Sequence, residues 1–363
     1  MMKKFKVGIL GATGMVGQKY ISLLENHPWF EVTYVAASSN SAGLIYSEAV
    51  KGRWQMTTNI PENVKNLMVN DVSDIDKVKN ECDFVFSAFE ISDKNIVKEI
   101  EEKYAQSGLP VVSNASANRK TVDIPMLIPE INSDHLKMID IQKKNHNWDN
   151  GFIVVKPNCS LQSYITPIYA LNKAGYQVDK VMITTLQAVS GAGYPGVASL
   201  DMIDNVVPFI GGEEDKTEDE PLKILGEIVN EKLVENTDIK ISATCTRVPV
   251  TDGHLASVNI SFKNKKPTKD EIIKIWRDFK SAPQELDLPF APQNPIIYTE
   301  EENRPQPRKD RNNDKGMSVT IGRLRDCKIF DYKFVALSHN TVRGAAGGGI
   351  LNAELLVKKG YIK

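Results

Sequence analysis

Cys159 stands in the run Val154-Val155-Lys156-Pro157-Asn158-Cys159-Ser160, directly after an apolar segment that reads as a strand and before a stretch, 163–174, that reads as a helix. A thiol at a helix N-terminus has its thiolate stabilised by the helix dipole. That predicts a pKa below the ordinary value of about 8.5 and a nucleophile able to carry an acyl group. Cys82, Cys245 and Cys327 are scattered, with no CxxC or Cys/His metal spacing, and read as small hydrophobes rather than disulfide or zinc partners. His254 closes the run Arg247-Val248-Pro249-Val250-Thr251-Asp252-Gly253-His254, where a strand and a turn would present it at the mouth of a site as an acid/base partner. His27, His135 and His146 fall in polar, surface-like contexts, and His339 in a turn before the last segment. Only the fold can bring His254 to Cys159.

A second chemical feature opens the chain. Gly8-Ile9-Leu10-Gly11-Ala12-Thr13-Gly14-Met15-Val16-Gly17 sets glycines every third residue between a strand and a helix. Such a turn lets the backbone approach a pyrophosphate, and the helix N-terminus favours the anion, so Gly11, Thr13, Gly14, Met15 and Val16 are candidate dinucleotide contacts. At the end of the next strand, where an acidic residue would select NAD, stand Ser38-Ser39-Asn40-Ser41. Ser38 and Ser39 leave room for a 2′-phosphate, which favours NADP with NAD tolerated, although the segment holds no Arg or Lys to grip it.

Elements to position these groups follow from the apolar patterning. Strands are predicted over 6–10, 32–37, 83–89 and 109–113, and helices over 15–26 and 93–106, which implies a parallel sheet with helical crossovers. From residue 180 the rhythm changes to long strands over 181–189, 239–250, 255–262, 317–324 and 330–337, with one helix over 268–281, which suggests an antiparallel or mixed sheet. The polar stretch 143–151 marks the boundary region, 283–314 is a Pro- and charge-rich excursion, and 341–358 reads as a helix returning to the first unit. The expected architecture is α/β: a Rossmann-like parallel sheet over 1–157, an α+β catalytic and dimerisation domain with a mixed sheet over 158–340, and a C-terminal helix over 341–363.

The 363 residues suffice for two such cores. Lys plus Arg number 45 against 46 Asp plus Glu, so no nucleic-acid or polybasic membrane surface is indicated. Met1-Met2-Lys3-Lys4-Phe5 does not read as a signal peptide, and a reducing cytoplasm is expected.

Eight motifs, 11–17, 113–119, 157–160, 187–193, 212–216, 247–254, 304–308 and 340–346, span nearly the whole chain. In this order they resemble the aspartate-β-semialdehyde dehydrogenase family, in particular its archaeal and fungal branch. The resemblance implies NADPH-dependent reductive dephosphorylation of β-aspartyl phosphate to aspartate semialdehyde through a Cys159 thioester, in the pathway to lysine, threonine and methionine. It implies His254 as general acid/base and Gln187 as a residue orienting the thioester. Arg247 would hold the substrate α-carboxylate, Glu213 its ammonium, and Arg119 and Lys216 the phosphate, with Asn158 beside them. Ser190, Gly191 and Asn340 would line the nicotinamide. It also implies small-molecule partners alone and a homodimer or homotetramer. Taken alone, Arg247 reads as a surface ion pair and Glu213-Glu214-Asp215 as a solvated helix start, although Glu213 and Lys216 share a helical face. The chain departs from the family pattern at Lys156, at Leu161 and over 41–46. Two alternatives stay open: a malonyl-CoA reductase of the same fold, which would use CoA in place of phosphate and have no ammonium to bind, and a non-catalytic NADP-binding sensor.

Overall fold

The computed structural model describes residues 4–89 and 91–363, so the reading of the first three residues lies outside it. Six strands, β1 (Phe5–Leu10), β2 (Phe30–Ala37), β3 (Val69–Asp71), β4 (Phe84–Ser87), β5 (Pro110–Ser113) and β6 (Phe152–Val155), form one parallel sheet in the order β3-β2-β1-β4-β5-β6. Strands β4, β5 and β6 are buried on both faces, which is why they read as unbroken apolar runs rather than as alternation. Phe84, Phe86, Val112 and Val154 pack on one side with Tyr20, Ile21, Ile350 and Leu355. Val85, Val111 and Ile153 pack on the other with Tyr104 and Ala105. The last helix, Gly347–Lys358, thus returns to the first sheet as expected.

Local rules account for most boundaries. Asp93 caps the helix Lys94–Gln106 by accepting from the Asn95 amide at 2.9 Å, and Gly108, at φ +97, turns the chain after it. The first helix, Met15–Leu23, stops short of the expected end, and Asn26 takes the left-handed conformation. The polar stretch 143–151 is not a boundary. The helix Met138–His146 runs into it, and β6 follows it to pair with β5, so the stretch is a crossover within the first sheet.

The second sheet is mixed, in the order β10-β7-β11-β14-β13-β12. Its strands are β7 (Val178–Gln187), β10 (Lys240–Arg247), β11 (His254–Phe262), β12 (Ile296–Thr299), β13 (Val319–Asp326) and β14 (Tyr332–Ser338); β8 (Glu227–Val229) and β9 (Lys232–Val234) form a separate hairpin. The β7–β10 and β12–β13 pairs are parallel and the rest antiparallel. The Pro-rich excursion therefore contributes an edge strand that its composition hides. Helices Ile165–Lys173 and Lys269–Asp278 cover one face, and Trp276 packs there with Ile168, Ile183, Val258 and Phe334. Thr268 and Glu271 close a capping box at the start of the second of these helices.

The pairing register decides where chemistry is possible. Gln187 lies opposite Arg247, Leu186 opposite Leu255, and His254 opposite Ser338. The ends of β7 and β10 and the beginning of β11 therefore meet at one end of the second sheet's strands, beside the turn that leaves β6.

Candidate active site

Cys159 ends the chain's exit from β6. A 3-10 turn, Ser160–Ser163, follows it, and the helix proper begins only at Ile165. The turn is braced from within. Asn158 Oδ1 accepts from the Ser160 amide at 2.7 Å and its hydroxyl at 2.6 Å, while the Asn158 amide donates to Glu220 Oε2 at 2.6 Å. The low thiol pKa expected from a helix N-terminus is overturned. Burial and the Glu213 carboxylate push the Cys159 thiol up to about 11, against the opposing charges of Lys156, Arg119 and Arg247. The displaced helix start explains part of this, because dipole effects fall off within a turn.

Cys159 Sγ lies 3.4 Å from His254 Nε2. The other ring nitrogen, Nδ1, accepts the Ala188 amide at 3.1 Å, so the neutral imidazole carries its proton on Nε2 and points it at the sulfur. Burial, then the charges of Arg247 and His339, lower the His254 pKa to about 3, which keeps the ring neutral. A Cβ on Gly191 would stand 2.9 Å from Arg247 Nη1 and 3.2 Å from His254 Cε1, so only glycine closes the loop this tightly over both side chains. Of the three histidines expected at the surface, His146 is exposed but His27 and His135 are not. His27 is buried against Glu354 at 2.8 Å, and His135 bonds Asn132 and the Gly226 carbonyl, each at 3.0 Å. His339 is buried as well.

The charged candidates surround this pair. Glu213, first residue of the helix Glu213–Ile224, is buried and accepts from Asn158 at 2.9 Å, Lys216 at 3.2 Å and Gln187 at 3.4 Å. Gln187 thus faces Glu213 and the Thr185 hydroxyl. Arg247 is buried without an ion pair among the described residues and donates to the Ala188 carbonyl at 2.8 Å, which removes the surface-ion-pair reading. Arg119 pairs with Glu220 at 3.0 Å and also holds the Asn114 carbonyl. Lys156, beneath the turn, is buried with its nitrogen on the Pro157 carbonyl at 2.7 Å.

A cleft of about 390 Å³ joins this centre to the glycine turn, with Cys159, Asn158 and Arg119 at one side and Met15, Val16, Ser190, Gly191 and Asn340 at the other. Asn340 ties the two loops, donating to Ser190 Oγ at 2.8 Å and accepting the Gly253 amide at 2.8 Å. The turn suits a pyrophosphate. Gly11 has φ +77, a Cβ there would meet the Ala88 carbonyl at 2.6 Å, and among the described residues no side chain caps the helix that follows. Ser38 and Ser39 are exposed at the end of β2. A cation from outside that segment lies beside it: Arg53 donates to Ser41 Oγ at 3.0 Å, and its carbonyl is bonded by Gln18, which also holds the Thr13 carbonyl. Twelve residues separate Arg53 from Ser41, so a local motif cannot reveal it.

Comparison with known proteins bears on this arrangement. Residues 6–139 match the NAD-binding domain of semialdehyde dehydrogenases, and residues 168–343 match their dimerisation domain. The chain is 46% identical to the aspartate-semialdehyde dehydrogenase of Archaeoglobus fulgidus over 99% of this chain and 100% of that protein. It is 45% identical to that of Schizosaccharomyces pombe, covering 98% and 99% of the two chains. The crystal structure of the Candida albicans aspartate semialdehyde dehydrogenase with NADP superposes with a TM-score of 0.90 at 38% identity, covering 99% of this chain and 100% of that one.

Proposed function

This chain belongs to the aspartate-semialdehyde dehydrogenase family, and on that premise we propose how its residues divide the work. The reaction is the reversible, NADP-dependent reductive dephosphorylation of β-aspartyl phosphate to aspartate semialdehyde, on the route to lysine, threonine and methionine. The observation that supports the assignment best is the 3.4 Å approach of Cys159 Sγ to His254 Nε2 inside a ring of buried charge. The Cys159 thiolate attacks the acyl carbon, a C–S bond forms, and the C–O bond to phosphate breaks with its electron pair leaving on phosphate. Arg119 and Lys216 hold that leaving group. The nicotinamide, when bound, supplies the hydride that reduces the thioester. His254 donates its Nε2–H to the substrate oxygen as that oxygen gains charge, and Gln187 orients the acyl group. Ser190, Gly191 and Asn340 line the nicotinamide side of the cleft, and residues 11–16 cradle the pyrophosphate. This division places the cofactor domain at 1–157, the catalytic domain at 158–340 and the returning helix at 341–363.

Arg247 takes the substrate α-carboxylate, since its planar fork matches a carboxylate and no carboxylate among the described residues pairs with it. Glu213 takes the ammonium. Its two oxygens offer about four acceptor positions, and protein donors use three. That contact separates this reading from a CoA-dependent reductase. Glu213→Gln is expected to weaken the amino substrate about 10- to 150-fold, while leaving a des-amino semialdehyde nearly unaffected. Kinetics of both proteins with phosphate and with CoA check this. CoA-dependent activity indifferent to Glu213 would overturn it.

NADP is the preferred cofactor, with Ser38, Ser39 and Arg53 at its 2′-phosphate. Arg53→Leu is expected to weaken NADP binding about tenfold, the loss of one charge-assisted contact at an exposed site, and to leave NAD binding unchanged. Titration by protein fluorescence checks both, and equal losses for the two cofactors would remove Arg53 from this role.

The chain acts on small molecules in the cytoplasm as a dimer or tetramer. Exposed Tyr194, Leu200, Ile203, Val206 and Phe209 form an apolar run beside β10 that supports association of like chains. Among the described residues no helix is long and apolar enough to cross a membrane.

A further inference from the structure

Arg119 belongs to the loop 114–119 that follows β5, and a loop must be fixed before its side chains can select a ligand. Asn114 and Arg119 both line the cleft, so the two ends of this loop face the chemistry. The loop is tied across itself, for Arg119 donates to the Asn114 carbonyl at 3.2 Å. It is also tied from outside. Lys223 donates to the Arg119 carbonyl at 2.8 Å, and the Asn114 amide donates to the Ser87 carbonyl at 2.9 Å.

The middle of the loop is held by Glu101, a residue of the helix Lys94–Gln106 that is 0% exposed. Ser87 and Ser113 end β4 and β5 side by side, and each donates its hydroxyl to Glu101 Oε1 at 2.6 Å. Asn118, the residue before Arg119, donates to Oε2 at 2.8 Å. The partners are themselves fixed, since Asn118 Oδ1 accepts the Thr121 hydroxyl and Ser113 Oγ the Ala115 amide, each at 3.1 Å. Ala115 and Ala117 pack on Val97, one turn before Glu101 on the same helix. All three contacts bring a donor, and among the described residues no cation pairs with this carboxylate. Such an anion is costly: burial raises its pKa, and the three donors oppose the rise. Packing alone would be met more cheaply by apolar side chains at these four positions.

We propose that Glu101 is a positioning residue for the phosphate site: it holds Asn118 so that the next residue, Arg119, enters the cleft with its planar fork already placed. The proposal rests on Arg119 as the residue that holds phosphate. Glu101 does not line the cleft and acts only through Asn118. Because the same carboxylate grips the ends of β4 and β5, it fixes Arg119 relative to the sheet that carries the glycine turn.

Exchanging the two groups tests this, with initial rates measured from aspartate semialdehyde and NADP while inorganic phosphate is varied. Asn118→Asp sets one carboxylate against another where a hydrogen bond stood. It should raise the KM for phosphate about tenfold, the equivalent of one charge-assisted contact at Arg119, with little change in kcat at saturating phosphate. Adding Glu101→Gln restores the match, because the glutamine oxygen can accept both serine hydroxyls while its nitrogen donates to the new carboxylate. The double variant should return to within about twofold of the wild-type KM. Asn118→Leu removes the bond without adding charge, so it should raise the same KM about threefold and gain nothing from Glu101→Gln. Thermal unfolding and NADP titration show that each variant is folded. An unchanged KM for phosphate in both Asn118 variants, a folded double variant that does not recover, or equal rises in KM for phosphate, semialdehyde and NADP would overturn the proposal. Arg119→Leu separates the two levels. If it leaves the KM for phosphate unchanged, the phosphate role of Arg119 fails; if it raises that KM while the Asn118 variants do not, only the role of Glu101 fails.

Discussion

Cys159→Ser is expected to turn over at less than about 1% of the wild-type rate, because a serine hydroxyl ionises far above a thiol and an alkoxide does not form beside these groups at neutral pH. The cations around position 159 do not close that gap, since they leave even the thiol at about 11. Folding should be unaffected. The turn is held through Asn158, Ser160 and Glu220, none of which bonds the sulfur. The glycine turn and the loop tied by Asn340 are likewise untouched, so NADP should bind as in the wild type. Steady-state rates together with cofactor titration check this, and a variant with more than a few per cent of wild-type activity would remove Cys159 as nucleophile.

The second large effect concerns His254. Asparagine is too short to bring a donor to the position now held by Nε2, so His254→Asn should lose about 10²–10³ in kcat, the range found when one donor to a developing oxyanion is removed. The pH dependence distinguishes a donor from a base. A group lowered to about 3 is neutral throughout the working range, so the wild-type kcat/KM profile should have no acidic limb near the ordinary histidine value that disappears in the variant. A limb near 6.5 that vanishes with His254 would show it accepting protons, and a loss under tenfold would make it structural.

How far the sequence led depends on how local each feature is. The glycine turn, the strands β1, β2, β4, β5 and β6 and the capped helix at 268 are written in neighbouring residues, and the structure keeps them, whereas the short edge strand β3 has no apolar run to announce it. Cys159 was marked by its place after an apolar strand. Its ionisation is not legible there, because burial and the nearness of Glu213 are properties of the assembled interior, and because the helix begins six residues later at Ile165. The meeting of His254 with Cys159 depends on β11 pairing antiparallel to β7 in one register, which no local pattern encodes. Arg53 reaches Ser41 through a loop fold, and His27 and His135 are buried by partners distant in sequence. β12 hides among prolines because an edge strand needs little apolar patterning of its own.

The thioester on Cys159 is tested most directly by mixing the protein with aspartate semialdehyde and NADP while withholding phosphate. Without phosphate to take the acyl group, NADPH should form in a burst of one per active site and then nearly stop, with an aspartyl group on the Cys159 peptide. Adding phosphate should release it and restore turnover, and Cys159→Ser should give no burst. NADPH forming at the full steady rate without phosphate, or an equal burst from Cys159→Ser, would contradict a thioester at this residue.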